Sequence, residues 1–195
     1  MKKTSLLLTL LMLMCIGMAK AETVTVGSND GPESGFPTAN FWKNSLSEQI
    51  YTIAEIGTSG TITDIAFYHS NDIVDTRLLE VYLVETDKDA FSSKEDCIQP
   101  TDAGLVFNGY IQFAASSWVK ISITPFEYSG KNNLAIIVND KTGSWTDNDD
   151  EKRLYFATYS TGKNQALLYC SDKNSFSATS IASTSSSASY AGTVS

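Results

Sequence analysis

Hydrophobic side chains recur at every second position through most of the chain between Thr23 and Cys170. Leu46, Glu48 and Ile50 alternate with Ser47, Gln49 and Tyr51. Arg77, Leu79, Val81 and Leu83 run opposite Leu78, Glu80, Tyr82 and Val84. Leu105, Phe107, Ile111 and Phe113 are expected on one face, and Val119, Ile121 and Ile123 oppose Trp118, Lys120 and Ser122. Leu134, Ile136 and Val138 share a further face, as do Leu154 and Phe156, and Ala166 to Cys170 is a short apolar run. A period of two places alternate side chains on opposite faces of a strand, so these runs predict strands. Residues 22–26 (ETVTV) fit the same template, and the break between Ile62 and Ile65 predicts a β-bulge.

The spacers carry turn chemistry: Gly27 to Pro37, Thr58-Ser59-Gly60, Ser129 to Asn133, and Thr161 to Asn164. Short strands at regular spacing with such turns predict an all-β protein, an antiparallel β-sandwich or jelly roll. One or two short helical turns are expected within it. Thr52-Ile53-Ala54-Glu55 has capping-box spacing and Gly57 follows as a stop, while Ala90 and Phe91 could pack one turn in Asp87 to Glu95.

The N-terminus has the layout of a secretory signal. Lys2 and Lys3 precede an apolar stretch from Leu6 to Met18, and Ala19-Lys20-Ala21 forms a cleavage site. Cys15 offers the alternative of a lipid anchor, but Met14 precedes it where a small residue is expected. Cleavage after Ala21 divides the chain into a signal peptide at 1–21, a sandwich module at 22–174 and a Ser-rich segment at 175–195. That last segment reads as a linker, or as a loop leading to a final strand at Tyr190–Ser195. It also suggests that further modules follow in a longer protein. Loss of Lys2, Lys3 and Lys20 takes the formal charge from −8 to −11. An acidic chain of this kind lacks the cationic excess of a nucleic-acid binder and is repelled by anionic lipid, so no membrane insertion is expected after cleavage. Export permits a disulfide between Cys97 and Cys170, which would stabilise by about 4 kcal/mol in the chain-entropy model. Two unpaired, mostly buried thiols are the equal alternative.

Catalytic motifs are missing: no G-x-S-x-G, H-E-x-x-H, Walker A or G-x-G-x-x-G occurs. His69, the single histidine, is expected at a turn facing solvent. The acidic loop Asp140 to Glu151 is the most distinctive segment. Asp147, Asp149, Asp150 and Glu151 are candidate calcium ligands by their hard oxygens, though without EF-hand spacing, and an acidic loop is otherwise simply solvated. Trp145 in that loop, with Trp42, Asp147 and Asn148, forms a candidate glycan contact: an indole face packs on sugar C–H groups while carboxylates and amides bind hydroxyls. Trp118 is expected to be core or half-buried at an edge.

Four runs carry a family resemblance: Gln49 to Thr52 with Glu55-Ile56-Gly57, Gly60 to Tyr68, Val81 to Lys88, and Asn133 to Ser144. Together they resemble a secreted β-sandwich module of Bacteroidetes-type bacterial surface and secreted proteins, found beside fibronectin type III-like or adhesin-like repeats. The resemblance spans about residues 23–174. It transfers no catalytic residues and implies a secreted or cell-surface, non-catalytic binding or adhesion module, placed at the front of a longer protein. Its partners would be a glycan, a surface protein or neighbouring domains of the same chain. The alternatives are a structural spacer, or the accessory part of a glycoside hydrolase using two carboxylates.

Overall fold

The computed structural model describes residues 22–146, 152–181, 188–191 and 193–194. Two antiparallel sheets face each other as a sandwich, with a small two-stranded ladder beside them. One sheet has the order β1-β8-β3-β6, from Glu33–Ser34, Phe156–Ala157, Gly60–His69 and Ser117–Tyr128. The other has the order β11-β10-β2-β7-β4-β5, from Ala188–Ala191, Ala166–Ser171, Asn44–Tyr51, Asn133–Asp140, Asp75–Thr86 and Leu105–Phe113. β12 (Thr193–Val194) pairs with β9 (Tyr159–Ser160).

The predicted alternation builds the space between the sheets. Ile65, Phe67, Val119, Ile121 and Ile123 from one sheet meet Leu79, Val81, Leu83, Leu134, Ile136 and Val138 from the other. The opposite phase of the six-stranded sheet is buried too. Leu46, Ile50, Tyr82, Ala135, Ile137, Leu167 and Tyr169 are covered by Phe91 and Ile98 from the connection after β4 and by Ala178 and Ile181 from the segment after β10. β2 is therefore buried at all eight of its positions. The outer face of the four-stranded sheet has no such cover at Ala66, Trp118, Lys120, Ser122 and Thr124, which are exposed.

Thr52 caps α1 (Ile53–Ile56) through the full capping box, and Gly57 closes it at φ 70° in the left-handed region that favours glycine. The expected bulge in β3 lies between Ile62 and Asp64. A second register shift, opposite Val81 and Tyr82, corrects the expected face of β5. It turns Val106 into the inter-sheet core with Phe107, Ile111 and Phe113, and sends Leu105 to the other cluster. An extra residue in one strand reverses the phase beyond it.

Three further expectations are corrected. Residues 22–26 form no strand: among the described residues no ladder partner flanks them, and only Val26 packs against the core. The segment Asp87 to Glu95 forms bends and one reverse turn, closed by the Asp96 N–H on the Ser93 carbonyl at 3.1 Å, and no helix at Ala90 and Phe91, although Phe91 is buried. Ser92 donates both its backbone N–H and its hydroxyl to Asp96 Oδ2 at 2.8 Å, and Lys88 pairs with the same carboxylate, bonds that compete with a helix. His69 is fully buried. Beyond the bulge it is in phase with Ile65 and Phe67, its Nδ1 lies 2.7 Å from the Ala114 carbonyl oxygen, and its ring packs on Phe113 and Phe156. Cys97 and Cys170 are free thiols, Cys97 half-buried and Cys170 buried.

Candidate functional site

β2 and β4 begin, and β3 and β7 end, at the same end of the sandwich, so the chain segments around Phe41, Ser70, Thr142 and Arg153 converge there. Arg77 organises this end. Strand alternation turns it inward in phase with Leu79 and Val81, where it is 1% exposed. Its Nε donates to Asp140 Oδ2 at 2.8 Å, Nη1 to the Ser144 carbonyl at 2.9 Å, and Nη2 to the Trp42 carbonyl at 3.4 Å. Asp75 adds a second carboxylate, 3.5 Å from Nη1. A planar guanidinium can tie several acceptors in fixed directions, which a flexible ammonium cannot.

The two carbonyls it holds belong to Trp42 and to the residue before Trp145, so one buried group positions both indole-bearing loops. Asp140 completes the brace. Oδ2 also accepts the Thr38 hydroxyl, while Oδ1 accepts the Thr142 N–H at 3.0 Å and its hydroxyl at 2.6 Å. The Gly143 N–H donates to the Lys43 carbonyl at 2.9 Å, joining the loops directly. Asn40 ties in the third segment, donating to Thr146 Oγ1 and the Lys152 carbonyl at 3.0 Å and accepting the Leu154 N–H at 2.8 Å.

The aromatic surface on this brace mixes rings and cations. Phe41 and Trp42 meet edge-on with centroids 5.8 Å apart. Lys43 Nζ sits 4.4 Å from the Trp145 ring centroid, and the Arg153 guanidinium carbon 3.6 Å from that of Phe41. Such contacts contribute about 0.5–1 kcal/mol each at exposed sites. Both indoles are half-buried, leaving part of each accessible.

The structure places Trp42 and Trp145 on adjoining loops at one end of the sandwich. Asp147 and Asn148, the polar half of the candidate contact, lie outside the described residues, as do the calcium candidates Asp147, Asp149, Asp150 and Glu151. Among the described residues no group of three or more His, Cys, Asp or Glu is placed to hold a metal ion. The brace residues were missed by sequence reasoning, yet Arg77 left a signal: a charged side chain in phase with three core positions. Of the two expectations for Trp118, core or half-buried at an edge, the second holds: it lies on β6, the last strand of its sheet, on the uncovered face, and is 49% exposed.

Outside this end, Glu48 is the most perturbed acid. It is fully buried on the covered face of β2, where Oε2 accepts the Ile98 N–H at 2.7 Å and Oε1 has no partner among the described residues. Desolvation pushes its carboxyl up to about 8. Through the Ile98 N–H this group ties the covering connection to the sheet. No protein-family model, no curated protein and no solved structure matches the chain.

Proposed function

We propose that this chain is an exported, non-catalytic binding or adhesion module that meets its ligand through the loop end carrying Trp42 and Trp145, with a glycan as the favoured ligand. The observation behind this reading is the Arg77 clamp. A buried ion pair is an inefficient way to gain stability compared with apolar packing, so its use to hold the Trp42 and Ser144 carbonyls favours a role in positioning. Two half-buried indoles, one of them under the Lys43 ammonium, suit a ligand that combines C–H faces with hydroxyls.

Export by the N-terminal signal, a place at the bacterial surface or in the medium, and descent from the Bacteroidetes-type sandwich modules belong to the same proposal. The resemblance over residues 23–174 supports them. The test is retardation of the processed protein, residues 22–195, in native gels containing soluble polysaccharides. Retardation that falls at least fivefold on Trp145→Ala or Trp42→Ala supports the loop-end site. Retardation unaffected by both substitutions rejects that site, and none with any polysaccharide rejects glycan binding.

A further inference from the structure

The two sheets treat their outer faces differently. That of the six-stranded sheet is roofed by Phe91, Ile98, Ala178 and Ile181, while that of the four-stranded sheet is bare along β3 and β6. On a bare strand face, solvent-facing positions are ordinarily polar, and an isolated exposed apolar residue needs no explanation. Here the apolar residues are paired. Tyr68 and Trp118 are direct cross-strand partners, their rings 5.5 Å apart at 67°. Trp118 stays 49% exposed despite that contact.

The next outward pair along the strands is Ala66 with Lys120, and the one after is Asp64 with Ser122. Ala66 leaves a low floor beside the rings. At the far end Ser122 donates to Asp64 Oδ1 at 2.7 Å, Lys120 Nζ lies 3.2 Å from the same oxygen, and Thr63 donates to Oδ2 at 2.9 Å. From Tyr68 to Asp64 is four residues, a track of about 13 Å at strand rise. That is room for two or three pyranose rings.

We propose that this track, from the Tyr68–Trp118 pair across Ala66 to Lys120, Asp64 and Ser122, is a second carbohydrate site that takes a neutral glycan chain lying along the strands. The rings receive the C–H face of one sugar, Ala66 leaves clearance for the next, and the ammonium, carboxylate and hydroxyl exchange hydrogen bonds with hydroxyl groups of a third. Charge selects the class of glycan. Lys120 is already matched by Asp64, so the track carries no net charge, and the chain as a whole is acidic, at −8 in full and −11 without residues 1–21, which repels uronates and sulfated sugars. A protein occupant suits it less. Protein interfaces exclude charged residues from their core, and one end of this track is a charged pair.

This site stands apart from the loop end in its residues, so the two are separable in one experiment. The processed protein, Trp118→Ala, Tyr68→Ala and Trp145→Ala are run in native gels containing galactomannan, mixed-linkage β-glucan or polygalacturonate. Trp118 and Tyr68 lie on the open face, and equal melting temperatures verify that the variants fold. The expected result is retardation by a neutral polysaccharide that drops at least fivefold in Trp118→Ala and Tyr68→Ala and persists in part in Trp145→Ala. Loss in Trp145→Ala with Trp118→Ala unchanged overturns the track and leaves the loop end. Retardation by polygalacturonate alone overturns the neutral-glycan assignment. Concentration-dependent dimerisation abolished by Trp118→Ala assigns the face to a second copy of the chain and also overturns it.

Discussion

Glu48 is a carboxylic acid enclosed on both sides, and its consequence is a pH dependence of unusual sign for an acid. Its folded value of about 8 lies above the ordinary 4.5, so between these values the folded chain keeps a proton that the unfolded chain releases. Its contribution is fully present below the ordinary value and is lost as pH rises towards 8, with a limiting slope of about 1.4 kcal/mol per pH unit. Asp96 and Lys88, on the connection above it, act in opposite senses on its charge. Glu48→Gln keeps an acceptor for the Ile98 N–H and removes the titration. Urea unfolding at pH 5 and pH 8 is expected to show the variant more stable than the parent at pH 8, with the difference shrinking at pH 5. The thiols give a second prediction at this scale. Burial pushes Cys170 up to about 12 and raises Cys97 as well, so both alkylate slowly in the native protein, Cys97 faster than Cys170. With both thiols free, a reductant leaves the melting temperature unchanged.

Single turns and register shifts decide where the alternating strands point. The capping box at Thr52 is legible in four residues, because its hydrogen bonds are local. Glu55 also accepts the Tyr159 hydroxyl at 2.9 Å and the Gln165 side-chain amide at 3.2 Å, which tie the turn to the chain after β8. Thr52→Ala is expected to cost about 1 kcal/mol in chemical denaturation, the ordinary loss for an N-cap. The bulge in β3 was visible because two isoleucines fall out of phase within one run. The shift in β5 was invisible, because Leu105, Val106 and Phe107 are all apolar and either phase looks acceptable. Burial of His69 follows from the first shift, so a reading that stopped at the strand end left it in solvent. Residues 22–26 show the converse: alternation without a neighbour to pair with makes no strand.

At the scale of the molecule, the fold class was readable because one repeating signal, the period of two, runs through nearly every segment. The candidate site was half readable. Trp42 and Trp145 could be named as aromatics near turn residues, but 103 positions separate them in the chain, and nothing local tells that Arg77 joins their loops. The brace predicts a large energetic effect. Arg77→Ala leaves Asp140 buried without its cation, and removing one member of such a pair ordinarily costs about 3–5 kcal/mol. Equilibrium unfolding measures that loss directly. Trp118 could be read only as core or half-buried at an edge, because exposure of its strand face depends on which connections roof which sheet, a property of the whole topology.

That unequal roofing has a kinetic corollary. Amide protons of β2 and β7, central in their sheet and shielded above and below, can meet solvent only when the entire domain opens. Those of β3 and β6 lie one thin layer from water and should trade hydrogen for deuterium earlier, through partial excursions that leave the six-stranded half standing.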